Sequence, residues 1–153
     1  MLLLNVTFDS FAETAGPRLR AGLIAAYGPT TGADAAADAL AYGWEHWARL
    51  SAMANPAGYL FRVGQTSART SRRQQGFLPA PSATDLPEFE PGLIPALEAL
   101  TESQRISVML VHAFGWSQVE AAELMEIDPS TVRTHLARGL QKLKAALEVE
   151  RYA

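Results

Sequence analysis

SQVEAAELMEIDPSTVRTHLARGLQKLKAAL, residues 117–147, is the stretch that decides how this chain folds. It opens on a reciprocal cap. Ser117 offers an acceptor to the free amides of a helix start, and Glu120, three residues on, returns the bond to the cap residue. That helix is short and ends near Met125. Asp128-Pro129 gives a second start signal, an acidic N-cap followed by the residue whose φ is preset for a first helical turn. The helix it opens runs to about Leu147. Wound at about 100° per residue, Val132, Leu136, Leu140, Leu143 and Leu147 fall within about 80° of one another and should pack. Ser130, Thr134, Arg138 and Gln141 take the opposite side, with Arg133 and Lys142 on its flanks.

A short helix, a tight turn and a longer basic helix make a helix-turn-helix. Between Pro129 and Leu147 the cations are Arg133, Arg138, Lys142 and Lys144, and there is no acidic residue. In such a motif the first turns of the second helix enter the major groove. Those turns carry Ser130, Thr131, Arg133 and Thr134, preceded by Ser117 and Gln118 at the start of the shorter helix. Arg133 has the fork that pairs with a guanine edge. Arg138, Lys142 and Lys144 lie further back, where phosphates are met. The free amides at the helix start are a further expected phosphate site. The competing account is a solvated amphipathic helix in an ordinary bundle.

Upstream, Thr101 and Gln104 form another capping box, opening a helix through about Ala113 that Gly115 stops. Before it, Pro79, Pro81, Pro87 and Pro91 crowd a stretch flanked by Gly76 and Gly92. Proline lacks the amide that helices and ladders need, so residues 76–92 read as a linker. Residues 1–75 then form one module and 93–153 another.

The N-terminal module reads as three helices. The first spans roughly Phe8 to Tyr27, with Pro17 predicting a kink or a late start. The second spans roughly Ala33 to Leu50, with Leu40, Trp44 and Trp47 expected to face a core. The third opens on Asn55-Pro56 and runs to about Gln74. On it Arg62, Arg69 and Arg73 form a basic stripe within about 40°, suited to tracking a DNA strand. Its alternative is a solvated face. Tyr59 and Phe61 are candidates to stack on unpaired bases, against an equal claim from the core.

The chain has 153 residues, 48% hydrophobic and 19% charged, enough for a real core. It has no Cys, which removes disulfides and thiolate metal sites. His46, His112 and His135 show no metal-ligand spacing, and His112, in an apolar helix, reads as a core histidine. There is no glycine-rich phosphate loop and no activated serine, so an enzyme is not expected, nor a metal or cofactor. The apolar run of MLLLNVTFDS is too short for a signal-peptide core, and no window approaches a membrane span. The expected location is cytoplasmic. A net charge of −3 is unusual for an autonomous nucleic-acid binder.

Residues Ala96 to Leu147 resemble region 4 of the sigma-70 family. The shared features are Gln104-Arg105, Gly115-Trp116-Ser117, Glu120-Ala121 and Thr131-Val132-Arg133. The N-terminal half is similar to region 2 of the extracytoplasmic-function group. It has Asp34 and Asp38 ahead of Trp44 and Trp47, then the run Asn55-Pro56 through Arg62-Val63, then Arg72-Arg73. The family pattern has Gln where this chain has Ala41, and Asn where it has Thr66. The resemblance implies an all-α protein of two helical modules, a region 2-like three-helix unit and a region 4-like helix-turn-helix. It implies that Asp34, Asp38, Trp44 and Trp47 meet core RNA polymerase. Promoter DNA would be met by Ser117, Gln118, Ser130, Thr131, Arg133, Thr134, Arg138, Gln141 and Lys142, and by Arg62, Arg69 and Arg73. An anti-sigma factor is a further partner of this kind of protein. Two other readings compete: a sigma-like module that binds an anti-sigma factor, and a DNA-binding regulator that does not recruit polymerase. A linker of this length also permits the two modules to close on each other.

Overall fold

A computed structural model describes residues 6–75 and 92–152. Among them all regular structure is helical, and no helix is long and apolar enough to cross a membrane. The expected linker, residues 76–92, lies outside the described residues but for Gly92, as does most of the apolar N-terminal run.

Helix α1 (Phe8–Tyr27) starts where Thr7 accepts the Ser10 amide at 3.2 Å, and it runs through Pro17 without starting late. Helix α2 (Pro29–Glu45) begins four residues before the expected start, with proline in its first turn. It packs on α1 at backbone distance. A Cβ on Gly32 would lie 2.5 Å from both the Ile24 Cα and the Leu23 carbonyl oxygen. The buried face of α2 is therefore small, formed by Gly32, Ala35, Ala36, Ala39 and Gly43.

That packing overturns the expected role of Trp44, which is 68% exposed. It also divides the expected second helix. His46 leaves helical geometry at φ −114°, ψ 18°, and α3 (Trp47–Leu50) is a separate single turn. The break turns Trp47 toward α1, where its ring centroid lies 4.8 Å from that of Phe11 and 5.7 Å from that of Phe8. Its indole donates to the Val6 carbonyl at 2.9 Å.

Helix α4 (Pro56–Gln75) is capped by Asn55, whose Oδ1 accepts the Gly58 amide at 3.0 Å. Leu60 and Phe61 are buried, so Phe61 is a core residue and not a base-stacking one.

After residue 92 comes a helix that no local signal announced, α5 (Leu93–Glu98). Both bonds of the Thr101–Gln104 capping box form, and α6 (Glu102–Val108) follows. The helix then widens into one π turn (Met109–Ala113), closed by the Phe114 amide donating to the Met109 carbonyl at 3.0 Å. His112 lies on this turn and is exposed, contrary to its expected place in the core. Gly115 reverses the chain at φ 74°, a left-handed conformation that favours glycine.

Helices α7 (Gln118–Met125) and α8 (Pro129–Tyr152) complete the motif, with α8 longer than expected. Val132, Leu136 and Leu143 are buried as the periodicity requires. Leu140 is not: it is 40% exposed. Its neighbour Gly139 faces inward instead, where an added Cβ would meet the Val108 side chain at 2.8 Å. Close approach of α8 to α6 selects the residue without a side chain and rotates Leu140 outward.

One continuous core joins the helices on both sides of residues 76–91. Leu19, Leu23, Leu60 and Phe61 from the first half join Ile106, Leu110, Leu124 and Val132 from the second. Helix α1 lies against α6 and α4 against α7.

Candidate nucleic-acid interface

The outward face of α8 is built by what its inward face holds. Val132 is fully buried, which fixes the rotation of the first turns. Ser130, Thr131, Arg133, Thr134, Arg138, Gln141 and Lys142 are all exposed on that helix. Two of them have local tasks as well. The Ser130 hydroxyl donates to Asp128 at 2.6 Å, and the Thr134 hydroxyl to the Ser130 carbonyl at 3.1 Å. Lys142 Nζ donates to Gln104 Oε1 at 3.1 Å, which tethers α8 to α6.

The helix start is not the open phosphate site expected from its amides. The Ser130 amide donates to Asp128 Oδ1 at 2.8 Å, and the Thr131 and Val132 amides reach the Asp128 carbonyl. Pro129 has no amide to offer. Hydrogen bonds from the Ser130 hydroxyl and amide hold the Asp128 carboxyl below its usual range, so it carries negative charge at neutral pH. What α8 presents outward is side chains.

Ser117 is likewise committed to its cap. Its Oγ accepts the Glu120 amide at 3.1 Å, while its own amide donates to Glu120 Oε2 at 2.9 Å. Gln118 is half-buried.

The stripe on α4 has a different environment. Arg62 pairs with Glu126 at 2.7 Å and sits over the Tyr59 ring at 5.6 Å. Arg69 places Nη2 2.6 Å from Glu102 Oε1 and Nε 3.4 Å from Oε2. The side chain of Arg73 lies outside the described residues. Tyr59 is half-buried, with the Arg49 guanidinium also over its ring.

Glu102 gathers more donors than any local pattern foretold. Tyr27 donates to it at 2.7 Å and Gln65 at 3.1 Å, besides Arg69. Burial pushes its carboxyl up, but the bonds from Arg69 and Tyr27 prevail and hold it below its usual value. Burial, and then the bond to Glu102, pushes the Tyr27 hydroxyl well above its ordinary value. Glu102, Glu126 and Tyr27 were not among the sequence candidates. Their partners are distant in the chain, so no spacing could have marked them.

On α2, Asp34, Asp38, Ala41 and Trp44 share one exposed side. Asp38 accepts the Ser67 hydroxyl of α4 at 2.6 Å. Trp47 does not belong to this surface, because the break at His46 sends it to Phe8 and Phe11.

Comparison with known proteins fits this architecture. Residues 93–143 match the family described as sigma-70, region 4. The whole fold is similar to that of the sigma factor RpoE solved in complex with the anti-sigma factor NepR from Bartonella quintana. The TM-score is 0.63 at 21% identity, covering 93% of this chain and 97% of that one. It is also similar to CnrH, solved with the cytosolic domain of CnrY, at TM-score 0.57 and 19% identity. That match covers 93% of this chain and 88% of the other. No curated protein sequence matches. Residues 93–143 thus match sigma-70 region 4, and they are carried on an all-α fold similar to that of solved sigma factors.

Proposed function

We propose that this protein is a transcription initiation factor of the extracytoplasmic-function kind, which brings core RNA polymerase to specific promoters. Its divisions on this reading are a region 2-like module at 1–75, a linker at 76–92 and a region 4 module at 93–153. The observation that carries it is the outward face of α8. Arg133, Thr131 and Thr134 stand exposed on the first turns of a helix whose rotation is fixed by a fully buried Val132. Such a helix places Arg133 against a base edge, with Arg138, Gln141 and Lys142 against the backbone. Ser117 and Gln118 border the same groove. Arg62, Arg69 and Arg73 on α4 track a DNA strand near the downstream element.

Polymerase engages the exposed side of α2 through Asp34, Asp38 and Trp44. An aromatic ring 68% exposed beside two carboxylates suits a protein partner with a basic rim. An anti-sigma factor is the further partner on this reading, since both similar structures were solved with a bound protein. The protein works in the cytoplasm, where polymerase is.

Run-off transcription with core RNA polymerase on a pool of genomic promoters tests the proposal. Specific transcripts that require the protein are the expected result. Ala41, on that same exposed side where the family pattern has Gln, favours one second reading. In it the protein binds promoter DNA, or an anti-sigma factor, without recruiting polymerase. Sequence-specific DNA shifts without transcripts would select the regulator, and neither would select the interaction module.

A further inference from the structure

The turn between α7 and α8 runs only from Glu126 to Asp128, and each of its residues is held. Glu126 takes the left-handed conformation, φ 54°, that ends α7, and its carboxylate pairs with Arg62 at 2.7 Å. The Ile127 amide donates to the Ala122 carbonyl at 3.1 Å, and its side chain packs on the core. Asp128 therefore leaves the turn in one direction. Its Oδ1 accepts twice, from the Ser130 amide at 2.8 Å and from the Ser130 hydroxyl at 2.6 Å. Those bonds restrain the carboxylate and leave Oδ2 without a protein partner among the described residues. The residue is exposed, and it is charged at neutral pH.

An ionised carboxylate accepts hydrogen bonds and donates none. Phosphate oxygens do the same and carry the same charge, so Asp128 and a DNA backbone repel each other. The bases offer something else. In the major groove cytosine presents its N4 amino group, whereas guanine presents the acceptors N7 and O6, and thymine the acceptor O4. Adenine presents an amino group as well, but the N7 acceptor beside it opposes a carboxylate. An acceptor-only group at the leading end of α8 therefore suits cytosine best. Arg133 is its counterpart: exposed, donor-only, and without a carboxylate partner among the described residues. About 7.5 Å of helix rise separates the two residues, close to two base-pair steps.

We propose that Asp128 is a specificity-determining residue: its outward carboxylate oxygen accepts from the N4 amino group of a cytosine and rejects guanine and thymine at the same place. This deepens the reading of α8 as the helix that meets promoter bases, and it rests on that reading. Arg133 then selects a guanine by donating, and Asp128 a cytosine by accepting, within about two base pairs of each other. The carboxylate works against binding as much as for it. Where no amino group meets it, an unpaired anion is pressed toward phosphates and base acceptors. Sequences without the cytosine are therefore penalised, and discrimination comes from that repulsion as well as from the new bond. A neutral cap would give a helix that binds all DNA more tightly and tells sequences apart less well.

The test compares the full chain with Asp128→Asn and Asp128→Ser, which remove the charge and keep equally good caps. In Asp128→Asn the oxygen stays with Ser130 and the outward place goes to an NH2 group, a donor. The wild type first selects duplexes from a randomised pool at low salt. Fluorescence anisotropy then reads affinity for the most enriched duplex, for the same duplex with each C·G pair in turn changed to T·A, and for an unrelated duplex. The wild type should enrich a cytosine within about two base pairs of a guanine, and bind about five- to tenfold more weakly when thymine replaces it. In Asp128→Ser that loss should fall to about twofold or less, and in Asp128→Asn it should fall as far or reverse. Both variants should bind the unrelated duplex about two- to fivefold more tightly. A cytosine preference kept in both variants overturns the proposal, even if all sequences bind more tightly, and so does an enriched sequence with no such cytosine. Arg133→Ala distinguishes these failures from failure of the reading beneath. If it abolishes the guanine preference, α8 reads bases and the cytosine result judges Asp128 alone. If the wild type enriches no sequence, or if Arg133→Ala and both Asp128 variants leave every preference unchanged, the reading of α8 falls and Asp128 with it.

Discussion

Helices α4 and α8 both present arginines on an exposed side, Arg62 and Arg69 on one, Arg133 and Arg138 on the other. On α4 the guanidiniums already hold carboxylates from the other module. On α8 no carboxylate among the described residues pairs with either arginine. Residue type therefore does not distinguish a cationic surface without ion pairs from one already paired. Long-range packing does. The net charge of −3, unusual for a DNA-binding chain, has a local counterpart here: two of its acids sit on two of its bases.

The largest test of the contrast concerns whether the two modules are thermodynamically one. Leu110 is fully buried in the core that spans both. Leu110→Ala should cost about 2–5 kcal/mol, and calorimetry should still show a single transition. A split melt, with the first module unaffected, would mean the shared core does not couple them.

Next in size is the exposed face of α8, on the proposed function. Arg133→Ala should cost about 1–3 kcal/mol at a matched promoter and relax preference at one base position. A titration series over single-base variants of the promoter reads both effects. Equal losses on every sequence would reassign Arg133 to the backbone.

Ser117→Ala separates capping from contact. Loss of the N-cap should lower stability by about 1 kcal/mol, seen in denaturant melts, with base preference unchanged. A changed preference would return Ser117 to the groove.

Acidification probes the other side of the contrast. Tyr27 from α1, Gln65 and Arg69 from α4, and Arg105 from α6 itself bear on Glu102, whose carboxyl is held below its usual value. Such a group stabilises the folded form fully above the ordinary carboxylate value of about 4.3, and the contribution is lost as pH falls through the lower, folded-state value. Thermal stability should therefore hold from about pH 7 to 5 and decline only in stronger acid, as a pH series of melts would read. A drop near pH 6 instead would point to a histidine.

The smallest effect belongs to Lys142. Lys142→Ala should weaken DNA binding on all sequences alike and reduce the salt slope by about 1. A slope that stays fixed would mean its bond to Gln104 is its only task.

The caps were legible in the sequence because they are local. Thr101 with Gln104, Ser117 with Glu120, and Asp128 with Pro129 each mark a helix start within four residues, and each start is where the pattern put it. The faces were less legible. Large apolar residues suggested that Trp44 and Leu140 pack, but helices that approach closely bury glycine and alanine and turn their large neighbours out. Helix α5 was missed because no cap announces it. The partners of Arg62 and Arg69 were beyond reach, since Glu126 and Glu102 lie far along the chain and only the docking of the modules brings them together.

The π turn at Met109–Ala113 has its own consequence. Such a turn accommodates one residue more than a helix of the same rise. Each residue in a helix advances the face by about 100°. The turn therefore works as a phase shifter between Thr101, where the helix is capped, and Gly115, where the chain reverses. Deleting one residue within Met109–Ala113 would restore a regular helix and swing everything after it by roughly a quarter turn. Helix α8 would then point away from the direction in which α6 now aims it. In this segment the number of residues matters more than their identity, so length variation there should be tolerated least.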